Sequence, residues 1–220
     1  MGGQWTVGIV DDHPVVRLGL RAVLERDERF VIGGEAGGLA AARELMMARQ
    51  PDFLVLDLML GGRDDLEFLR ELKGLHSRGR ILVFSAQPEL VYAPRAFVAG
   101  ADGYLMKDSG VEHVPEILAA MATGERFASA AVQRAMFQKI AGGSLALGPE
   151  EISDRELQVL RLLGAGRGTA EIAQQLCLSA KTIGTYRERL KDKLGVAGAR
   201  ELERMAEEYV RTGRLDNMGK

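Results

Sequence analysis

The first part of the chain alternates between short apolar runs and stretches with helical spacing, and the alternation repeats five times. The apolar runs predict strands near residues 5–10, 30–35, 52–57, 80–85 and 102–106. Two of the intervening stretches begin with a proline that suits the first turn of a helix, Pro14 and Pro88. Strands that alternate with helices predict an α/β fold, a doubly wound five-stranded parallel sheet with helices on both faces. Pro94 falls inside the fourth helix, so we expect that helix to be short, kinked or irregular.

Later apolar spacings predict helices alone. A fifth helix is expected over 111–122, and the four-residue recurrence of Val132, Met136 and Ile140 predicts one more. Residues 150–220 carry four helical patterns and predict a small all-α domain. Ser153 with Glu156 forms a capping box at the start of the first helix, and Thr169 opens the second. The third helix, over 180–194, is capped by Ser179 and ended by Gly195, and a fourth is expected over about 199–210.

The glycine-rich segment from Gly142 to Pro149 lacks a periodic apolar face and predicts a flexible linker. We therefore expect a first domain over 1–124, a linker helix and linker over 125–149, and a second domain over 150–220. The chain of 220 residues has 46% hydrophobic residues, enough for two cores, and its net charge of −2 excludes a polybasic or strongly acidic protein.

Three further observations bear on location and chemistry. The single cysteine, Cys177, excludes an intramolecular disulfide and fits a reducing interior. No run is apolar for long enough to cross a membrane and no signal peptide is evident, so we expect a cytoplasmic protein without a membrane partner. His13, His76 and His113 share no metal-ligand spacing and are interpreted as surface or structural residues.

Charged and hydroxyl residues end four of the five predicted strands. Asp11 and Asp12 follow the first strand, Asp57 the third, Ser85 the fourth and Lys107 the fifth. Because parallel strands end at one edge of the sheet, where open α/β sheets bind ligands, these side chains should share a pocket. Clustered carboxylates suit Mg²⁺, while a hydroxyl and an ammonium suit the oxygens of a phosphoryl group carried by one of the acids. The chemistry indicated is phosphorylation of an aspartate.

Asp11-Asp12, Asp57, Ser85, Tyr104 and Lys107, in this order, resemble the receiver domain of bacterial response regulators, a CheY-like, flavodoxin-like fold. Downstream, the segments 152–160, 171–173, 181–183 and 193–196 resemble the LuxR-type helix-turn-helix. Both motifs together resemble the NarL/FixJ class of two-component response regulators over almost the whole chain.

The resemblance implies a mechanism. A sensor histidine kinase would phosphorylate Asp57, and Mg²⁺ would be held by Asp11, Asp12, Asp57 and the carbonyl of Met59. Lys107 and Ser85 would contact the phosphoryl oxygens, and Tyr104 would reorient with Ser85 as a switch that leads to a homodimer. Receivers commonly carry proline four residues and glycine eight residues after the phosphorylated aspartate, where this chain has Gly61 and Asp65.

The helix over 180–194 is expected to enter the major groove of double-stranded DNA, where base edges are distinguishable. Residues 181–193 contain five basic and two acidic side chains, a local positive patch. Ile183, Tyr186, Leu190 and Leu194 are assigned to the core-facing side of this helix. The candidates for phosphate contacts are Lys181, Thr182, Arg189 and Lys193, and those for base contacts are Gly184, Thr185, Arg187 and Glu188.

Three other functions compete with the transcriptional response regulator. The first is a phosphorylation-independent DNA-binding regulator whose receiver only dimerises, because the 61–65 loop departs from the family pattern. The second is a signalling adaptor with a weakened DNA reader. The third, a phosphotransfer or phosphatase enzyme, is disfavoured because no general base or second catalytic centre accompanies the predicted pocket, so we do not expect an enzyme.

Overall fold

A computed structural model describes residues 3–61, 63, 64, 66–140 and 152–212, and the chain divides into two compact units, 1–136 and 137–220. Each unit is described by itself. The predicted linker from Gly142 to Pro149 and the departure at Asp65 lie outside the described residues.

The first unit is built on a five-stranded parallel sheet, which confirms the predicted fold class. Its strands, together with a short hairpin formed by β4 and β5, are β1 (Trp5–Val10), β2 (Phe30–Ala36), β3 (Phe53–Leu56), β4 (Met59–Leu60), β5 (Arg63–Asp64), β6 (Arg80–Ser85) and β7 (Gly103–Met106). The sheet order is β2-β1-β3-β6-β7, and every pair is parallel. The antiparallel β4–β5 hairpin was not predicted, since two-residue strands leave no periodic signal.

Helices alternate with the strands and also follow the last of them. They are α1 (Pro14–Leu24), α2 (Leu39–Arg49), α3 (Leu66–Leu75), α4 (Glu89–Ala99), α5 (Val114–Ala122) and α6 (Ala130–Ile140). The predicted fifth helix begins as a 3₁₀ turn, Val111–His113, before α5. The helix predicted from Val132, Met136 and Ile140 is confirmed as α6.

The fourth helix was expected to be short, kinked or irregular, and it is neither short nor irregular. The helix α4 runs through Pro94 over 11 residues, although proline removes one backbone hydrogen bond. The buried side chains of Tyr92, Ala93, Ala96 and Ala99 lie on both sides of the proline, and their burial stabilises the turns around it.

Strands buried on both faces explain why the sequence shows continuous apolar runs instead of alternation. All four residues of β3 are buried, as are Val7, Ile9 and Val10 of β1. One core cluster joins these strands to Leu20 and Leu24 of α1 and to residues of α5. The charged ends of the strands are thereby fixed to a rigid frame.

Residues 152–212 of the second unit form four helices, as predicted: α7 (Asp154–Gly164), α8 (Thr169–Leu176), α9 (Ala180–Leu194) and α10 (Ala199–Thr212). The capping box of Ser153 and Glu156 is formed, and Ser179 Oγ accepts a hydrogen bond from Thr182 N. A Cβ at Gly164 would lie 2.1 Å from the Ala206 carbonyl oxygen, so α7 and α10 approach at a point that only glycine permits. Across the described ranges, the structure contains no helix of the length and apolarity that a bilayer crossing demands.

Candidate functional site

Three carboxylates meet at the carboxyl edge of the sheet. Backbone hydrogen bonds extend the ladder just past the strand ends, from Asp57 N to Val10 O at 2.8 Å and from Asp11 N to Ala36 O at 3.1 Å. The side chains of Asp11 and Asp57 are therefore buried, with 2% and 1% of their surface exposed, whereas that of Asp12 is 27% exposed. We call this cluster the acidic pocket.

Lys107 enters the acidic pocket from the end of β7. Its Nζ lies 2.7 Å from Asp57 Oδ2 and 2.6 Å from Asp11 Oδ2. Burial alone would lower the pKa of Lys107, but its bonds to the two carboxylates outweigh burial and raise the pKa above its ordinary value. Burial raises the pKa of Asp57, against the opposing effect of Lys107. Lys107 therefore keeps its positive charge beside Asp57.

His13, interpreted from the sequence as a surface or structural histidine, has a side chain that is 65% exposed and also borders the acidic pocket. Its Nδ1 lies 2.7 Å from Asp12 Oδ1 and 3.1 Å from Asp11 Oδ1, and its backbone N–H donates to Asp11 Oδ1 at 2.8 Å. One ligand atom from each of Asp11, Asp12, His13 and Asp57 lies within 4.8 Å of all the others. The sequence signal for this contact is the adjacency of His13 to Asp11 and Asp12, which the spacing between the three histidines does not reveal.

The loop after β3 is tied to the acids through its backbone. Met59 N donates to Asp57 Oδ1 at 3.0 Å, and Gly61 N donates to Asp12 Oδ2 at 3.0 Å. Gly61 has a φ of +63°, a conformation that proline cannot adopt, and proline also lacks the N–H. The departure from the family pattern at this position therefore has a structural role, because it supplies a hydrogen-bond donor to the acidic pocket.

Ser85 and Tyr104 lie on adjacent strands next to the acids. Ser85 is fully buried at the end of β6, which pairs with β3, and Gln87 N approaches its Oγ at 3.4 Å. Tyr104 is buried, and its hydroxyl donates to the Gln87 carbonyl at 2.8 Å. The turn after β6 is therefore held both by the serine and by the tyrosine.

The donor set of the acidic pocket suits a hard divalent cation. Its carboxylates supply oxygen ligands, and buried carboxylates in excess of the ammonium leave negative charge for a cation to offset. The arrangement is compatible with Mg²⁺.

The helix α9 presents a second candidate surface. A groove of about 330 Å³ is lined by Lys181, Thr182, Thr185, Tyr186 and Arg189. Ile183, Leu190 and Leu194 are buried as expected, but Tyr186 is half-exposed in the groove, so its assignment to the core alone is corrected. A Cβ at Gly184 would meet open space, so its backbone is accessible from outside the unit.

Two basic residues that were predicted to contact DNA form ion pairs within the second unit. Arg187 donates to Glu203 Oε1 of α10 at 2.7 Å and lies 3.4 Å from Thr169 Oγ1 of α8. Lys193 Nζ donates to Glu156 Oε2 at 2.7 Å. The exposed Glu188 pairs with Lys191 at 2.6 Å. Arg187 and Lys193 therefore hold helices of this unit together, while Lys181, Thr182, Thr185 and Arg189 face outward.

The sheet, the acidic pocket and the helical second unit define a receiver joined to a helix-turn-helix domain. Residues 7–119 match the family model described as the response regulator receiver domain, and residues 150–206 match that of the bacterial regulatory proteins of the luxR family. The chain belongs to the NarL/FixJ-type response regulators.

Relatives match over most of their length. The transcriptional activator protein ExaE of Pseudomonas putida is 34% identical over 90% of this chain and 94% of the relative. The response regulator UvrY of Escherichia coli K12 is 30% identical over 90% of this chain and 91% of the relative.

Two solved structures match nearly the whole chain in fold. A structure of the Salmonella typhimurium RcsB response regulator matches with a TM-score of 0.74 and 26% identity, over 94% of this chain and 98% of that one. RcsB bound to the P1flhDC promoter in the presence of the phosphomimetic BeF3− matches with a TM-score of 0.72 and 27% identity, over 94% of this chain and 100% of that one.

Proposed function

We propose that this response regulator accepts a phosphoryl group on Asp57 from a sensor histidine kinase and thereby controls its binding to DNA. The observation that carries the proposal is the contact of Lys107 Nζ with Asp57 Oδ2 at 2.7 Å inside the acidic pocket. In the transfer, an Asp57 oxygen forms a bond to phosphorus as the bond from phosphorus to the kinase histidine breaks. The ammonium of Lys107 is placed to neutralise the oxygens of the resulting acyl phosphate.

Asp11, Asp12, Asp57 and the carbonyl of Met59 are the groups proposed to hold Mg²⁺. When bound, the cation supplies positive charge against the phosphoryl oxygens. Gly61 N–H donates to Asp12 Oδ2 and orients this carboxylate. Asp12 Oδ1, which lies 2.7 Å from His13 Nδ1, accepts no hydrogen bond from the described residues and is the oxygen offered to a cation.

The switch residues are proposed to be Ser85 and Tyr104. Ser85 Oγ would hydrogen-bond a phosphoryl oxygen, and the turn that contains Gln87 would follow because its N–H approaches Ser85. Since the same residue's carbonyl accepts from Tyr104, a shift of this turn changes the environment of the tyrosine.

The second unit is proposed to read double-stranded DNA with α9, as a homodimer that works in the cytoplasm. Dimers and DNA complexes are described for RcsB. We propose phosphate contacts from Lys181, Thr182 and Arg189. Base-edge candidates are Gly184, Thr185 and Glu188, and Tyr186 is added because it lines the same groove. Arg187 and Lys193 are left out, since their cationic groups are engaged in ion pairs within the unit.

Labelling by acetyl phosphate tests the acceptor. Asp57→Asn should abolish incorporation of phosphate because the amide cannot form the acyl phosphate. The matched control is Asp108→Asn, at an exposed aspartate of the same unit, which should label like the wild type. Undiminished labelling of Asp57→Asn would move the acceptor elsewhere.

A phosphorylation-independent regulator remains the second candidate, favoured by the hydrogen bond from Gly61 N to Asp12 Oδ2. This bond occupies one of the two Asp12 oxygens, so only the other is left for the proposed cation. Mobility shifts on an operator selected from random sequence, with and without acetyl phosphate, separate the two candidates. Equal DNA affinity in both conditions would favour the second candidate.

A further inference from the structure

The chain that follows the receiver sheet is attached to the switch edge by backbone hydrogen bonds. Phe127 N donates to Asp102 O at 3.1 Å, and Tyr104 N donates to Phe127 O at 3.0 Å. Phe127 thus forms a parallel bridge with Gly103 at the outer edge of β7. Two residues later, Ser129 precedes α6, the helix that leads the chain out of the first unit.

Ser129 connects this helix to α4. Its Oγ accepts a hydrogen bond from Val132 N at 3.2 Å, as an N-cap does, and its hydroxyl donates to Glu89 Oε1 at 2.7 Å. Glu89 lies in the first turn of α4, directly after Pro88. One hydroxyl therefore joins the starts of two helices.

These contacts close a ring of interactions. Tyr104 is hydrogen-bonded to Phe127 through its backbone and to the Gln87 carbonyl through its hydroxyl. Along the chain, Gln87 is followed by Pro88 and Glu89, and Glu89 accepts the hydrogen bond from Ser129. A groove of about 450 Å³ is lined by Glu89, Tyr104, Phe127 and Ser129 among others. The groove gives these side chains room to move.

We propose that Glu89 and Ser129 are positioning residues of the output: their hydrogen bond transmits displacements of the turn after β6 to the start of α6. The signalling role of this contact rests on the proposed function, since phosphorylation of Asp57 is what would displace the turn. The contact itself is a mechanical link between two elements and is testable without phosphorylation.

A double-mutant cycle in the full-length protein isolates the link. Tyr104→Phe removes the hydrogen bond to the Gln87 carbonyl and keeps the ring, and Glu89→Ala removes the acceptor for Ser129 while leaving the N-cap of α6. Hydrogen–deuterium exchange is measured on the amides of residues 131–136. Loss of a hydrogen bond to a charged group corresponds to roughly tenfold faster local exchange.

Glu89→Ala should raise exchange in α6 about tenfold, while Glu89→Gln, whose amide oxygen still accepts from Ser129, should change it less than about threefold. Tyr104→Phe should raise exchange in α6 when Glu89 is present and add little in the Glu89→Ala background, since the link is already broken. The control Glu44→Ala, at an exposed position of α2, should leave α6 unchanged. Equal effects of Tyr104→Phe in both backgrounds, or no effect of Glu89→Ala, would overturn the proposal.

A second arm separates this inference from the proposed function. Acetyl phosphate with Mg²⁺ should alter exchange in α6 of the wild type but not of Glu89→Ala, with equal labelling of Asp57 in both. Failure of the wild type to become labelled would contradict the proposed function, and the mutant cycle would still decide on the link. A Glu89→Ala variant that is labelled and responds like the wild type would refute the link alone.

Discussion

Replacing Lys107 by methionine removes one positive charge from between two buried carboxylates and keeps an unbranched side chain. Nζ of Lys107 lies 2.7 Å from Asp57 and 2.6 Å from Asp11, whose side chains are 1% and 2% exposed. Without the ammonium, both carboxylates keep the cost of burial but lose the charge that offsets it. We therefore expect the first unit to become less stable in metal-free buffer.

The size of the stability loss follows from the burial of the ion pair between Lys107 and Asp57. Removing one partner of a buried ion pair costs about 3–5 kcal/mol. We expect the lower end, about 3 kcal/mol, because 16% of the Lys107 side chain reaches solvent and the raised pKa of Asp57 eases its protonation. The first unit spans residues 1–136. With an unfolding entropy of about 2.1 cal/mol/K per residue, this loss lowers Tm by roughly 10 °C.

Trp5 supplies the assay. It is the single tryptophan of the chain, and its ring packs edge-on against Phe53 of the sheet at 5.7 Å between centroids. Its fluorescence therefore reports unfolding of the first unit alone. Melting is followed at neutral pH with EDTA and then with Mg²⁺, which should stabilise Lys107→Met more than the wild type because no ammonium competes with the cation.

The matched control is Lys181→Met, the same chemical change at an exposed lysine of the second unit, which should leave the Trp5 transition unchanged. The difference between Lys107→Met and wild type should shrink as pH falls through the raised pKa of Asp57, because a protonated carboxyl no longer needs the ammonium. A Tm within about 2 °C of wild type in EDTA would refute the reasoning, since that is under a quarter of the expected shift.

Three further predictions concern the second unit. Burial alone would raise the pKa of Glu156, but hydrogen bonds from Lys193 and Ser153 outweigh burial and lower this pKa. The stability that the ionised Glu156 gives to the unit is therefore present above the ordinary value of 4.5 and is lost as pH falls through the lowered pKa. Glu156→Gln, which keeps a capping box, should cost about 1–2 kcal/mol at pH 7, and this cost should disappear as pH falls through the lowered pKa, as read by calorimetry; a difference that stays constant as the pH is lowered would contradict the ion pair. Arg187→Ala should lower the stability of the unit by about 1–3 kcal/mol, as measured by urea unfolding, and unchanged stability would return Arg187 to the DNA-contacting face. Glu188→Ala should relax base preference in competition binding while non-specific affinity stays equal or rises, and an unchanged preference would show that Glu188 contacts no base.

The strand ends were predictable because two simple rules act together. Continuous apolar runs mark strands buried on both faces, and parallel strands end at one edge of the sheet. Asp11, Asp57 and Lys107 meet there without any long-range information beyond strand order. The caps at Ser153 and Ser179 were predictable for a similar reason, since a cap depends on residues within one helical turn.

Side-chain direction in α9 was less accessible. Helical spacing of about 100° per residue assigns a face to Arg187 and Lys193, but a long flexible side chain reaches around that face toward a partner. The partners, Glu203 and Glu156, come from α10 and α7, which are distant along the sequence. Tyr186 is the opposite case. Helical spacing assigns it to the core-facing side of α9, but its side chain lines the exposed groove.

The sequence by itself determined the alternation of strands and helices, the helix ends and the placement of the acids, because each depends on local spacing or on strand order. Only the tertiary structure decided which groups pair. It turned Gly61 N–H toward Asp12 and joined Ser129 to Glu89. Such pairings depend on distances of 2.7 to 3.0 Å between residues up to 49 positions apart, which packing fixes and periodicity does not encode.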